Sequence, residues 1–181
     1  MSAARENLLG RVLAHVARDG LADASLRDLA TAVGTSHRML LYHFGSRDGL
    51  VAAIVSRVEA DQRRLLAELA EQVESPTDLI RRQWAALTDP EVLPFVPLFF
   101  EATTLALRGR PGTEGFLAGL TETWLQDAAL IAEQLEIEVD EVDLRLGVAV
   151  LRGLLLDVVA SGDTAGPTAA LERHLARWVA V

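Results

Sequence analysis

The sequence predicts an all-α fold: an amino-terminal three-helix domain containing a helix-turn-helix, followed by a helical bundle. Three observations carry that expectation. Apolar residues recur three and four apart along the whole chain, without the sustained alternation of a half-buried strand. The periodic stretches are divided by single glycines, prolines and Ser, Thr or Asp caps rather than by long loops. Within residues 25–50, two short capped segments meet at one glycine.

Residues 7–18 place Leu8, Val12, Leu13 and Val16 on one face before Gly20, a helix that would brace the next two. The second helix opens at Ser25, whose hydroxyl can accept an orphan amide, with Asp28 in the capping-box position, shorter than the usual Glu or Gln. Leu26, Leu29 and Val33 form its apolar stripe, and Ala30 is small enough for another helix backbone to come close. Gly34 tolerates positive φ at C′, so the chain reverses at once, and Ser36 caps a helix that begins at His37. Leu40 and Phe44, four apart, anchor its inner face. His37, Arg38, Met39, Leu41, Tyr42 and His43 occupy the rest, a surface more basic and aromatic than a merely solvated helix needs. Arg47 follows at the start of another helix, capped by Ser46.

That helix runs from 48 to about 74, with Leu50, Ile54, Val58, Leu65, Leu69 and Val73 facing inward, and joins the first domain, residues 1–50, to a body of residues 51–181. Ser75, Pro76 and Thr77 break it and start the next, which reaches Thr88. Pro90, Pro94 and Pro97 punctuate the apolar run 93–100 and argue against a central strand. A turn at 108–112 precedes helices over about 113–134 and 141–160, and residues 162–167 separate the latter from a final helix over 168–179. No repeat or low-complexity segment is present.

The stretch 141–160 is apolar nearly all round. Leu144, Val148, Leu151, Leu155 and Val159 are joined by Leu146, Ala149, Val150, Gly153, Leu154 and Val158, so this helix must be buried on several sides. Either the monomer's own core takes all of it, or one side meets a second copy, with small Ala149 and Gly153 permitting close approach.

Composition narrows the chemistry. The 181 residues are half apolar and include no cysteine, which excludes disulfides, thiolate metal sites and thiol catalysis and suits a reducing cytoplasm. No basic region followed by an apolar core opens the chain, so no signal peptide is expected. The apolar region 146–160 is interrupted by Arg152 and Asp157 and falls short of the roughly 20 residues of a membrane span, so a soluble, cytoplasmic protein is expected. The histidines at 15, 37, 43 and 174 are scattered, and no Gly-x-Ser-x-Gly, Walker loop or dinucleotide fingerprint occurs, so neither metal, cofactor nor catalysis is expected. Glu136, Glu138, Asp140 and Glu141 surround a helix start, where solvation and the helix dipole account for them. Arg108-Gly-Arg-Pro111 matches the core of a minor-groove hook but lacks a basic flank.

The formal net charge of −9 argues against a nucleic-acid partner only as an average. Residues 1–50 hold six arginines against five acidic residues, whereas the remainder holds 11 arginines against 21. Between Thr35 and Arg47 lie two arginines, two histidines and no acid, and an acidic body would help to orient such a molecule on DNA.

Residues 25–50 resemble the helix-turn-helix of the TetR family of bacterial transcription regulators, whose usual form is a capped helix, an alanine, a turn glycine and a recognition helix ending in Tyr-x-His-Phe. Here the ending reads Leu41-Tyr42-His43-Phe44. Two positions depart from the pattern: Leu41 stands where the family usually has Tyr, and Arg38 where it has a small residue. The resemblance implies that Arg27, His37, Arg38 and Met39 face bases and that Ser25, Tyr42, His43 and Arg47 face phosphates, with Thr35, Ser36 and Leu41 completing the DNA-contacting set. It also implies a homodimer paired through its last helices as a four-helix bundle. Two-fold symmetry would set the recognition helices about 34–36 Å apart on a palindromic operator.

The region where the family builds its effector cavity offers Trp84, Phe95, Phe99, Phe100, Thr103, Thr104, Phe116 and Trp124. Such a set suits an apolar pocket with few polar handles and a small hydrophobic effector, although each residue also reads as ordinary core. The expected function is a DNA-binding transcription regulator, a repressor relieved by that effector. The alternative is a helical ligand-binding or sensor protein that has lost DNA binding, to which the Leu41 departure points.

Overall fold

The computed structural model describes residues 3–19 and 25–178, and every regular element among them is helical. In chain order these are α1 (Ala3–Asp19), α2 (Leu26–Ala32), α3 (His37–Phe44), α4 (Arg47–Ala70), α5 (Pro76–Leu87), a 3-10 turn (Leu93–Phe95), α6 (Val96–Leu107), α7 (Phe116–Leu120), α8 (Glu122–Gln134), α9 (Glu141–Ser161) and α10 (Ala165–Trp178). Two compact units result: Met1–Ala60 with Pro90–Leu117, and Asp61–Asp89 with Ala118–Val181. Packing thus divides the chain differently from the functional boundary expected at residue 50, because residues 90–117 pack with the amino-terminal helices.

In the first unit, Leu8, Leu9, Val12 and Val16 of α1 close over Leu29 and Ala30 of α2, Leu40 and Phe44 of α3, and Leu50, Val51, Ile54 and Val55 of α4. Phe95, Leu98 and Ala102 complete this core. The proline-studded run is a 3-10 turn followed by a helix with Pro97 in its first turn, where a missing N–H costs nothing. In the second unit, Ala70, Val73, Leu79 and Ile131 form a core flanked by Leu66, Leu69 and Leu135, and Leu171 and Leu175 of α10 are fully buried.

Several helix ends differ from expectation, each for a local reason. The helix expected to reach residue 74 ends at Ala70, and a turn from Gln72 N–H to Leu69 O carries Val73 into the core. The single helix expected over 113–134 is two, because Gly115 (φ 78°) delays its start and a break falls at Thr121. There the Arg152 guanidinium donates to the Leu120 carbonyl and, at 2.9 Å, to the Thr121 hydroxyl. The last helix begins at Ala165, ahead of Pro167, since proline fits a first turn and Asp163 caps the amides of Ala165 and Gly166, each at 2.9 Å. Those two amides hold the Asp163 carboxyl below its ordinary pKa. The Gly20 stop and the expected end at residue 179 lie outside the described residues.

Candidate nucleic-acid interface

Both helices of the motif are terminated by satisfied backbone groups. Ser25 Oγ accepts from the Asp28 amide at 3.2 Å and the Asp28 carboxylate accepts from the Ser25 amide at 3.3 Å, a full capping box. At the other end of α2, Thr35 N–H donates to Ala30 O (2.8 Å) and Gly34 N–H to Thr31 O (3.1 Å). With Gly34 at φ 66°, this is the Schellman turn that needs a residue free of the left-handed penalty. Arg11 of α1 then donates to the carbonyls of Val33 (2.8 Å) and Gly34 (3.3 Å), fixing the turn from outside.

Ser36 Oγ accepts from Met39 N–H at 3.2 Å to start α3, and Gly45, at φ 74°, ends it. Leu40 and Phe44 are buried against the core, as their spacing requires. Arg5 reaches across from α1, donating to the His43 carbonyl at 3.2 Å with its guanidinium 5.0 Å from the centre of the Phe44 ring. Such a cation at a helix carboxyl end satisfies one orphan carbonyl and complements the dipole. Neither Arg5 nor Arg11 is named by the sequence motif, because a contact 38 or 22 residues away leaves no local signal.

The outer face of α3 presents Arg38, Met39 (41 % exposed), Leu41 (37 %) and Tyr42 (78 %). Together they make a contiguous, partly apolar exposed patch on a well-packed domain, the kind of surface that can receive a partner. Arg27 on α2 is also exposed. His37, Thr35 and His43 are half-buried, and the His43 ring meets Tyr42 edge-on at 5.0 Å. Besides Ser36, which caps α3, two residues of the expected set are already engaged. The Ser25 hydroxyl donates to Asp28 at 2.6 Å, and Arg47 makes a 2.5 Å ion pair with Glu101 of α6. Arg110, of the hook-like segment, donates to Asp48 at 2.8 Å, while Ser46 donates to the Pro111 carbonyl at 3.2 Å. That segment therefore buttresses the start of α4.

A second candidate site lies within the carboxy-terminal unit, a cavity of about 160 Å³ walled by residues of α4, α5, α8, α9 and α10, among them Leu66, Leu79, Ile131, Leu144, Val148 and Leu171. Its polar lining is Gln83, Asp143 and His174. Of the eight residues expected around an effector, Trp124 stands on this wall. Trp84 is buried and its indole donates to Thr168 Oγ1 at 2.8 Å. Phe95 belongs to the amino-terminal core, with Phe99 and Phe116 packed against it, and Phe100 is half-buried with its ring 5.2 Å from that of Phe99. Thr103 and Thr104 donate to carbonyls of their own helix, at 2.8 and 2.9 Å. Sequence reading passed over Gln83 and the aliphatic wall because leucines and isoleucines at helical spacing read alike in a core and around a cavity.

Residues 14–54 match the family model of bacterial regulatory proteins, tetR family. A comparison with curated proteins found no match. Among solved structures, the chain is similar to a Rhodococcus sp. protein assigned to the TetR family, at 23 % identity and TM-score 0.70 over 97 % of both chains. It is similar also to a protein from Rhodococcus sp. RHA1 assigned as a transcriptional regulator, at 18 % identity and TM-score 0.71 over 95 % of this chain and 91 % of that one. A third is the multidrug binding protein EbrR complexed with ethidium, at 24 % identity and TM-score 0.64 over 93 % and 96 %. At these identities the likeness is one of fold.

Proposed function

We propose that this chain, which residues 14–54 make a member of the TetR family of bacterial regulatory proteins, is a sequence-specific transcriptional repressor that leaves its operator when a small apolar effector binds. One observation carries the reading: the outer face of α3, with Arg38, Met39, Leu41 and Tyr42 exposed on a scaffold whose caps, turn and core are otherwise satisfied. Arg38, Met39 and His37, with Arg27 of α2, read bases, and Tyr42 and His43 hold phosphates. Such a regulator works in the cytoplasm on double-stranded DNA, and no described helix is long and apolar enough to cross a membrane.

Operator reading in this family geometry needs two copies. On α9, Val142, Leu146, Ala149, Gly153, Leu156 and Ala160 are all exposed and fall in one narrow stripe, while Leu155 and Val158 are buried. A stripe of that composition is the face for a second chain, which makes the operator palindromic. The effector occupies the cavity of the carboxy-terminal unit, and the ethidium complex of EbrR lends support from a similar fold. Binding there favours a dimer whose reading heads are wrongly spaced, so DNA affinity falls by linkage.

Selection of genomic fragments by the purified protein at about 0.15 M salt, where nonspecific phosphate attraction is weak, tests the reading. Enrichment of a palindrome is expected, lost on replacing Arg38 and Tyr42 by Ala while thermal unfolding stays unchanged. A rival reading, a ligand-binding protein without DNA activity, draws on the Arg47–Glu101 pair and on Leu41. No enrichment, or equal enrichment by the double variant, decides for the rival.

A further inference from the structure

Arg38 is the second residue of α3 and is exposed. Its guanidinium has no ion pair or side-chain hydrogen bond among the described residues, and no acid lies between Thr35 and Arg47 to take it. The acid of the neighbouring helix, Asp28, is closed in the Ser25 capping box. Leu41 and Tyr42 lie three and four residues on and share its face, but Leu41 has no polar side-chain atom and Tyr42 a single hydroxyl. Met39 adds only a thioether. The hydrogen-bonding character of this surface is therefore that of one guanidinium, a rigid fork of N–H donors with no acceptor.

Base edges differ in what they offer such a fork. In the major groove guanine presents two acceptors, N7 and O6, which a guanidinium meets bidentately. Adenine sets a donor beside its acceptor, cytosine offers a donor, and thymine one acceptor beside a methyl. Reading adenine or cytosine takes an amide or a carboxylate, and the exposed positions of α3 carry neither. We infer that Arg38 reads guanine, so that each half of the DNA site holds one G·C pair whose N7 and O6 receive this side chain. The inference rests on α3 being the operator-reading helix, whose amino-terminal residues are the ones that reach base edges. Because the preference resides in the side chain, it changes with the side chain: glutamine in the same place pairs with adenine N6 and N7. Gln suits a helix about as well as Arg, so the exchange at this exposed position leaves the fold intact.

Selection from a fully randomised duplex library by the full-length protein, wild type against Arg38→Gln and Arg38→Ala, reads the base directly. Wild type is expected to fix a guanine at one symmetry-related position of each half-site. Arg38→Gln should replace it by adenine and Arg38→Ala should leave that position open, while the other positions keep their preference. On the selected duplex, a guanine with carbon in place of N7 should weaken wild type by about tenfold per half-site and Arg38→Ala by little. Identical preferences for all three proteins, with a salt slope shallower by about 0.9 per half-site in Arg38→Ala, would make Arg38 a phosphate contact. That result overturns the inference and leaves the operator reading in place, as does a position that changes in the variants but holds A·T in wild type. No enriched sequence with wild type overturns both.

Discussion

At Gly112 one added methyl group meets two obstacles at once, the backbone conformation and a neighbouring main chain. The Gly112 φ of 90° lies in the left-handed region, and a Cβ built there would come within 2.7 Å of Gly49 Cα and 3.1 Å of Gly49 N. Both atoms are backbone and cannot swing aside. The left-handed conformation costs a non-glycine residue about 1–2 kcal/mol, and forcing the loop off α4 adds about 1–2 kcal/mol of overpacking. The shift also strains Ser46–Pro111 and Arg110–Asp48. Gly112→Ala should therefore destabilise by about 2–4 kcal/mol, lowering the melting midpoint by roughly 5–15 °C for a chain of this size. Urea titration with an unchanged slope and a lower midpoint is the readout. Two companions fix the scale. Gly34→Ala meets nothing closer than Arg11 Nη1 at 3.7 Å and carries only the backbone term, about 1 kcal/mol. Gly10→Ala, in a helix with nothing within 4 Å, should stabilise by about 0.5–1 kcal/mol. If Gly112→Ala is no worse than Gly34→Ala, the close approach of the two glycines is wrong.

Glu136 gives the opposite case. It holds φ 54° in a Schellman turn, with Ile137 N–H to Ala132 O at 2.9 Å, so Glu136→Gly should raise stability by about 1 kcal/mol in the same titration. Leu146, 52 % exposed in the α9 stripe, should tolerate arginine as a folded monomer, and sedimentation of Leu146→Arg as a dimer would reject the assigned face. The Arg81–Glu172 pair joins α5 to α10 through contacts of 2.9–3.0 Å, and the Arg81 hydrogen bond holds the Glu172 carboxyl below its ordinary value of 4.5. A depressed carboxyl stabilises above its unfolded pKa and loses that contribution as pH falls through the lower folded value. Glu172→Gln should thus lower the melting midpoint slightly at neutral pH, a difference that closes below pH 4.5; a gap that persists in acid would deny the ionic origin.

What was legible in the sequence was what a few neighbouring residues decide. Ser25 with Asp28, Gly34, Ser36 and Gly162 each act on amides or dihedrals within a turn of themselves, so spacing alone located the motif. The exposed face of α3 followed, since burying Leu40 and Phe44 leaves Arg38, Met39, Leu41 and Tyr42 outside. The break at Thr121 was not legible, because the group that satisfies it, Arg152, is 31 residues distant. Nor was the cavity: aromatic residues carry large apolar areas that cores also recruit, so Phe95 and Trp84 were as apt for interior packing as for a ligand. Gln83 was not legible either, a buried amide whose oxygen lacks a partner among the described residues, a fact that exists only in three dimensions.

The charge of residues 1–50 is shaped by pairing more than by count. Arg5 lies 3.8 Å from Glu6, Arg18 binds Asp19 at 3.0 Å, Arg47 binds Glu101 at 2.5 Å, and Arg11 is spent on backbone carbonyls. The nearby acids are likewise held, Asp28 in its capping box and Asp48 by Arg110. Among the described residues of 1–50, the arginines left without an ion pair or side-chain hydrogen bond are Arg27 and Arg38, the two on the proposed face. A modest net charge can therefore coexist with a local field that favours phosphate. The two kinds of arginine should separate in a salt series. Arg38→Ala, losing a proposed base reader, should weaken cognate binding by about 1–3 kcal/mol per half-site and relax preference at one position, with little change in the salt slope. Arg47→Ala removes a charge that Glu101 already offsets, so its loss should stay within about fivefold at any salt. Were Arg47→Ala to flatten the slope by about 0.9 per half-site, as loss of a phosphate contact does, the Glu101 pair must open on DNA, and Arg47 would rank with Tyr42 as a phosphate clamp.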